Sequence, residues 1–216
     1  IRAYKPQSSS LGCGQVLPCP YTADKARIVV QEMIDGISLE LVEKRLVTDQ
    51  LVLTVGYDIE NLTRPEIRKV YKGPMTTDRY GRRVPKHAHG TWNLPRATSS
   101  SSELLEAMAA LYDKIVNPAL LIRRMSLSAC HVVNEKMAKE REQKETFEQL
   151  DLFTDYAKKE AKEKEEQKKR ERERRMQEAL LTIKKKYGKN AVLRGMNFEE
   201  GATAKERNGQ IGGHQA

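Results

Sequence analysis

The sequence predicts an α+β fold with the order β-α-β-β-α-β, in which a four-stranded antiparallel sheet carries two helices on one face. Two apolar stripes with helical spacing and several stretches with alternating apolar residues predict these elements. The composition changes abruptly after Asn134, where Lys, Arg and Glu dominate. We therefore expect one packed domain, followed by a charged helix and a disordered tail.

The first strand is predicted from Ser9 to Leu17, and Pro18 and Pro20 are expected to end it. Thr22 is a suitable N-cap for the helix that follows. Apolar residues then recur at spacings of three and four, at Ala26, Val29, Val30, Met33, Ile34, Ile37 and Leu41. This stripe predicts a helix that lies on a core.

The second strand is predicted from Leu51 to Tyr57, where apolar residues alternate with Val52, Thr54 and Gly56. The segment from Asp58 to Lys86 is basic and broken by Pro and Gly, so we expect a long loop or an elaborated hairpin tip. A third strand is expected around His89 to Leu94, with Pro95 closing it.

Ser100 and Glu103 form a capping-box pattern, which predicts the start of a second amphipathic helix that Asn117-Pro118 stops. The last strand is expected from Leu120 to Val133. In it, one face is apolar and the other polar, with Met125, Leu127 and Ala129 alternating with Arg124, Ser126 and Ser128.

The chain is expected to divide into a linker at 1–8, a domain at 9–134, a second linker at 135–156, a charged helix at 157–187 and a mobile Gly-rich tail at 188–216. Glu and Lys or Arg residues at i,i+4 favour an isolated, solvated helix. A coiled coil is disfavoured, because the helix has almost no apolar seam before Met176.

The 216 residues carry a formal net charge of +9, which makes a polyanion the first partner to consider, with nucleic acid ahead of a membrane. No apolar run approaches the length of a membrane span. The chain begins at Ile1 without a Met or a leader, so we expect an intracellular piece of a longer protein. The odd cysteine count, without C-x-x-C spacing, argues against a zinc ribbon or disulfides and fits the cytoplasm.

The polar face of the predicted sheet is the first candidate site. Small and hydroxyl side chains let backbone N–H groups approach phosphates, and arginines add charge and paired donors. The expected DNA contacts on the first and last strands are Ser9, Ser10, Gly12, Gly14, Gln15, Arg123, Arg124, Ser126 and Ser128. The alternative is an ordinary solvated sheet face. His87 and His89 could reach one metal ion, or they face solvent or phosphate.

The second candidate site is the run Gln149, Leu150, Asp151, Leu152 and Phe153, which has the form Q-L-x-L-F of a peptide that docks on the bacterial sliding clamp. The Gln149 amide would bond a polar subsite, while Leu152 and Phe153 would fill an apolar pocket. The alternative is a helical turn that packs back on the domain.

Tyr4-Lys5-Pro6, Ser8 to Gly12 and Gln15 to Pro18 resemble the entry to the little-finger domain of Y-family translesion DNA polymerases, and Ile122 to Leu127 resembles its last strand. The resemblance spans Ile1 to Asn134 and is strongest to the Gram-positive UmuC/DinB-like branch, which shares an element like Tyr80-Gly81-Arg82 in a long hairpin. Cys13 and Gln15 depart from it, since archaeal relatives have basic residues there.

The resemblance implies a domain that straddles the major groove of primer-template DNA, with Arg82 and Arg83 of the hairpin added to the DNA contacts. It also implies a monomer that acts in DNA repair and the SOS response. The Mg²⁺ and catalytic carboxylates of the family would lie in a palm before Ile1, so we expect no cofactor and no polymerase activity in this chain. Asp58, Glu60, Asp78 and Asp113 are interpreted as solvated.

Two other functions remain open from the sequence. One is a freestanding RNA- or DNA-binding α+β module with a basic helical tail. The other is a small enzyme with a site between Asp58 and Lys86.

Overall fold

The computed structural model describes residues 9–78, 80–145, 156–211 and 214–215. The elements run in the order β1 (Leu11–Tyr21), α1 (Ala23–Lys44), β2 (Leu46–Tyr57), α2 (Glu60–Thr63), α3 (Pro65–Val70), β3 (Met75–Thr77), β4 (Arg83–Pro85), β5 (Ala88–Thr98), α4 (Ser101–Ile115), β6 (Ile122–Cys130) and β7 (Val133–Asn134). The chain continues with α5 (Glu135–Glu145), α6 (Tyr156–Tyr187), the 3-10 helix η1 (Gly195–Phe198), α7 (Ala204–Arg207), β8 (Gln210–Ile211) and β9 (His214–Gln215). The α+β class predicted from the sequence is confirmed.

The main sheet has the strand order β1-β6-β2-β5, and every neighbouring pair is antiparallel. The short β7 pairs with the start of β2. The long strands and the two long helices α1 and α4 alternate along the chain as β1-α1-β2-β5-α4-β6. Two further pairs, β3 with β4 and β8 with β9, form separate two-stranded ribbons.

The core lies between one face of this sheet and the helices α1 and α4. Leu51, Leu53 and Val55 of β2 are fully buried, as is Leu127 of β6. Helix α1 contributes the predicted apolar stripe, and α4 contributes Leu104, Ala107, Met108, Leu111 and Tyr112. Burying these side chains together is what joins the two layers.

Two prolines expected to end strands lie inside strands instead. Strand β1 continues past Pro18 to Tyr21, and β5 continues past Pro95 to Thr98. The physical reason is that β1 and β5 are the two edges of the sheet, where a missing N–H need not break a ladder. The pairing of β1 shifts register between Val16 and Tyr21, which accommodates the irregularity.

The segment from Asp58 to Lys86 is more structured than a loop, because it forms α2, α3 and the β3–β4 hairpin. Buried Asn61 anchors its start. Its amide nitrogen donates to the carbonyls of Asp58 and Leu121, each at 2.8 Å, and its Oδ1 accepts from Leu121 N at 2.7 Å. These bonds tie the segment to the chain just before β6.

Helix α6, predicted to be isolated and solvated, contacts the domain in its second half. The Glu173 carboxylate accepts hydrogen bonds from Ser102 N at 2.8 Å and from the hydroxyls of Ser100 and Ser102 at 2.7 and 2.9 Å. An anion at the start of α4 is favourable because the N-terminal N–H groups and the helix dipole face it. Gln177 is buried and donates to Ser99 O and to Ser101 Oγ.

The segment after α6, predicted to be mobile, packs on α1 through η1 and α7. The buried Glu32 carboxylate on α1 accepts from Asn197 Nδ2 at 2.8 Å, from Thr203 N at 2.8 Å and from Ala204 N at 3.0 Å. Thr203 Oγ1 adds a fourth bond at 3.2 Å. One buried carboxylate therefore holds both η1 and α7 against the domain.

Candidate nucleic-acid interface

The face of the sheet that α1 and α4 leave uncovered is mainly polar and consists largely of small side chains. The strand register aligns its outward residues in rows, such as Gly14, Ser126, Thr54 and His89 across β1, β6, β2 and β5. The outward positions of the paired strands are Gly12, Gly14, Val16, Gln50, Val52, Thr54, Gly56, His89, Thr91, Asn93, Arg124, Ser126, Ser128 and Cys130. None of these described positions holds Asp or Glu.

Arg124 is the cation of this face. Its side chain runs over Gly56 of the neighbouring strand, where an added Cβ would lie 2.6 Å from Arg124 Cγ and 2.7 Å from Nε. Within the described part of the chain Arg124 makes no hydrogen bond or ion pair, and the residue is exposed. Its guanidinium is therefore available to an anion.

Gly12 and Gly14 lie on the open face, as predicted. A Cβ at Gly12 would lie 2.8 Å from Ser128 Oγ and 3.2 Å from Leu127 O, so the glycine permits a close approach of β1 to β6. A Cβ at Gly14 would meet Met125 O at an ordinary 3.7 Å. Ser126 and Ser128 lie beside these glycines on β6.

The prediction that Gln15 lines the open face is wrong. Gln15 alternates with Gly14 and Val16, so its side chain lies on the helix-covered side. There its amide nitrogen donates to Thr203 Oγ1 at 2.8 Å, and its Oε1 accepts from Arg207 Nη1 at 2.6 Å. Ser10 is exposed, and the Ser9 hydroxyl donates to the backbone carbonyl of Val132.

Arg123 is less available than Arg124. Its Nη1 donates to Pro18 O at 3.0 Å, and its Nε lies 3.8 Å from Asp58 Oδ2. The two arginines are adjacent in the sequence, but among the described residues only Arg123 has hydrogen-bond and ion-pair partners.

The β3–β4 hairpin brings Arg82 and Arg83 to the same end of the sheet as Arg124. Arg82 and Arg124 line one cleft of about 620 Å³, whose wall also includes Val16, Tyr57, Asp58, Ile59, Glu60, Asp78, Tyr80, Val84 and Arg123. Arg83 is exposed on β4. The tertiary fold thus joins predicted contacts that lie about forty positions apart in the sequence.

Most of the acidic residues interpreted as solvated form hydrogen bonds or ion pairs within the protein. Asp58 is buried and accepts from Glu60 N at 2.8 Å. Partial burial acts to raise the pKa of the Asp78 carboxyl. The pKa nevertheless stays below its usual value, because Arg82 and Tyr80 donate hydrogen bonds to the carboxylate. The paired Arg27 guanidinium similarly lowers the pKa of Asp113 on α4.

Histidine and other ligand residues do not assemble into a metal centre in the described ranges, where no group of three or more His, Cys, Asp or Glu side chains could hold an ion. His89 Nδ1 lies 2.9 Å from Thr54 Oγ1 on the open face. Among the helices that the structure describes, none is long and apolar enough to cross a membrane.

Sequence reasoning did not assign a role to the side chains of Tyr80 and Val16 in the cleft. Both are 70% exposed although they are large and apolar. Tyr80 belongs to a turn with an aromatic residue between basic ones, and that pattern was the available signal. Gln149 to Phe153, the predicted clamp-docking peptide, lies outside the described residues.

No family model matches this sequence, and no curated protein is significantly similar to it. One solved structure with partial similarity is a complex of the beta-clamp processivity factor and the little finger domain of PolIV. The match has 8% sequence identity and a TM-score of 0.35, and it covers 68% of this chain and 100% of the other. That score lies below the range in which two chains are taken to share a fold.

Proposed function

We propose that this chain is the damaged-DNA-binding and clamp-docking portion of a lesion-bypass DNA polymerase that acts in DNA repair and the SOS response. The open sheet face carries the proposal. It presents small and hydroxyl side chains in rows, has no acidic residue at its described outward positions, and ends at Arg124, which has no partner among the described residues.

Such a surface suits a sequence-independent grip on duplex DNA. Gly12, Gly14, Ser126 and Ser128 leave the backbone accessible, and phosphate contacts position a protein without reading bases. Arg124 supplies charge at one end of the rows, and Arg82 of the hairpin lines the same cleft. Arg83 is exposed on β4 of that hairpin. The net charge of +9 would draw the chain to DNA at long range.

Clamp docking rests on the sequence Gln149-Leu150-Asp151-Leu152-Phe153. It follows the domain in a polar part of the chain, so its apolar side chains are suited to a pocket on a partner. A clamp-bound peptide would raise the local concentration of a weak DNA grip at the primer end. We assign nucleotide incorporation to a catalytic region outside this chain.

The DNA-binding part of the proposal is tested by Arg124→Ala. Loss of one phosphate contact should weaken binding to duplexes of every sequence and make the salt slope shallower by about 1. Lys114→Ala is the charge-matched control, because Lys114 is exposed on α4 at the opposite side of the sheet. Fluorescence anisotropy over a series of salt concentrations measures both quantities.

A loss that depended on DNA sequence would show that the face reads bases. Equal losses in the two variants would show that only net charge matters, and a preference for single-stranded RNA over duplex DNA would favour an RNA-binding module. Any of these three results would overturn the proposed grip.

Clamp docking is tested by the double change Leu152→Ala and Phe153→Ala, which should abolish retention of the chain on an immobilised bacterial clamp. Asp151→Ala is the control, because the third position of Q-L-x-L-F is unconstrained. Retention of the double variant at the wild-type level would refute the docking assignment, while DNA binding should be unaffected by either change.

A further inference from the structure

The cleft at the end of the open face has the size of a small-molecule site. Its volume of about 620 Å³ falls within the roughly 300–1,000 Å³ of such sites. One wall is the sheet, with Val16 and Arg124, and the other is the β3–β4 hairpin, with Tyr80 and Arg82. Tyr57 and Val84 also line it. The cleft is continuous with the face proposed to hold DNA, because Arg124 belongs to both.

The hairpin wall is held in place by its own hydrogen bonds. Asp78 Oδ1 accepts from Tyr80 N at 2.8 Å and from Arg82 N at 3.0 Å, and Asp78 Oδ2 accepts from Arg82 Nε at 2.8 Å. The Arg82 guanidinium lies 5.1 Å from the centre of the Tyr80 ring. Tyr80 is therefore supported as a platform even though it is 70% exposed.

The charges in the cleft favour an anion at Arg124. Asp78 is committed to Arg82, Glu60 Oε2 accepts from Arg64 at 3.1 Å, and Asp58 accepts from Glu60 N with Arg123 nearby. Each of these three carboxylates thus has an intramolecular hydrogen-bond partner. Arg124 has no such partner among the described residues.

Around one cavity lie an exposed aromatic ring, an exposed apolar side chain and a guanidinium with no partner in the described part of the chain, and these match the parts of a nucleotide. A base has an apolar π-face that stacks on aromatic side chains, and its phosphate takes paired donors from Arg. A fully paired duplex would leave the cleft unused, since its bases already stack on one another. An unpaired nucleotide could enter it.

We propose that this cleft binds one unpaired nucleotide of a DNA strand, with the base against Tyr80 and Val16 and the phosphate at Arg124. This inference rests on the proposed function, because it requires that the open face hold the adjacent duplex. It deepens that function by giving the chain a preference for DNA with a displaced base over continuous duplex.

The test compares a short duplex with the same duplex carrying one unpaired aminopurine, a fluorescent base analogue. Wild-type protein should bind the bulged duplex about tenfold more tightly, and stacking should quench the aminopurine fluorescence. Tyr80→Ala should remove both the preference and the quenching, whereas Tyr80→Phe should retain them because the ring is kept. Tyr187→Ala is the matched control, since Tyr187 is 67% exposed on α6.

The outcomes separate the two proposals. Equal wild-type binding to bulged and paired duplexes, or a preference that survives Tyr80→Ala, would overturn the cleft assignment and leave the duplex grip intact. Absence of wild-type binding to either duplex would overturn the proposed function itself. Thermal melting of Tyr80→Ala, expected to match wild type for so exposed a side chain, separates loss of the ring from loss of the fold.

Discussion

The two sides of the main sheet use polar residues in opposite ways. On the covered side, Glu32, Gln15 and Gln177 form hydrogen bonds with segments far away in the sequence. On the open side, Ser126, Ser128 and Arg124 lie along the strands without long-range side-chain partners among the described residues. Polar groups that are buried and paired specify the structure, whereas exposed polar groups remain available to a ligand.

This difference explains how a charged C-terminal region can pack on the domain. The segment after Asn134 has little apolar surface, so hydrophobic burial alone cannot hold it. Instead, Glu173 binds the start of α4 and Glu32 binds the start of α7. Both carboxylates meet backbone N–H groups that have no partner within their own helices.

The largest expected effect is at Glu32. Glu32→Ala would leave the N–H groups of Thr203 and Ala204 and the Asn197 amide without their acceptor, and we expect the free energy of unfolding to fall by about 2–4 kcal/mol. Urea unfolding measures the loss. Limited proteolysis should also cut after α6 faster than in wild type.

Glu40→Ala is the control on the same helix, because Glu40 only forms an i,i+4 pair with Lys44 at 2.6 Å and should lose less than about 0.5 kcal/mol. If the two variants unfolded alike, the contrast between buried and exposed carboxylates on α1 would be false.

A smaller effect is expected at Glu173. Glu173→Ala removes the anion from the start of α4 and should lower the free energy of unfolding by about 1 kcal/mol. Glu165→Ala, on the exposed part of α6, should leave it unchanged. Hydrogen exchange of α6 amides should rise in the first variant alone. A rise of equal size in both variants would mean that Glu173 does not hold the helix on the domain.

On the open side, a change of one methyl group should affect DNA binding more than stability. Gly56→Ala would place a Cβ 2.6 Å from Arg124 Cγ, so the flexible arginine must move, and we expect duplex affinity to fall about two- to fivefold. Gly14→Ala meets Met125 O at 3.7 Å and should change affinity little. Anisotropy titrations measure both; a larger loss in Gly14→Ala would place the grip on β1 rather than at Arg124.

The smallest effect concerns pH. Burial raises the pKa of the Asp35 carboxyl above its usual 3.8, and the neighbouring Arg194 and Lys184 only partly oppose this, while Glu32 adds to it. The native state then keeps a proton that the unfolded chain has lost. Stability from this group therefore falls as pH rises from about 4 through the raised pKa.

Asp35→Asn cannot titrate, so the free energy of unfolding of wild type should fall relative to that of the variant as pH rises through that range, and the difference should then become constant. Urea unfolding at several pH values measures the difference. A rise in the stability of wild type relative to the variant with rising pH would mean that the Arg194 pair, at 2.7 Å, outweighs the effect of burial.

The regular elements could be predicted from the sequence because their residues alternate with a fixed period. The stripe from Ala26 to Leu41 and the alternation from Leu51 to Tyr57 report burial directly, and both lie in the core. The prolines at positions 18 and 95 were misjudged, because local propensity does not say which strand will be at an edge.

The candidate site could be predicted only in part. Alternation along β6 placed Arg124, Ser126 and Ser128 on one face, which the register confirms. The cleft could not be predicted, since it joins Tyr80 on the hairpin to Val16 on β1, and no local pattern relates them. The alternation along β1 turns Gln15 away from the face that Gly14 and Val16 occupy, so its position follows the period of its own strand.

By itself, then, the sequence determined the α+β class, the alternation of long strands and helices, the polar sheet face and the peptide from Gln149 to Phe153. Only the tertiary structure decided where the charged segments pack and which arginine has no partner within the described ranges. The physical reason is the distance along the sequence over which each feature is determined. The period of buried residues can be read from neighbouring positions, whereas the hydrogen-bond partners of Glu32 and the surroundings of Arg124 depend on how distant segments meet.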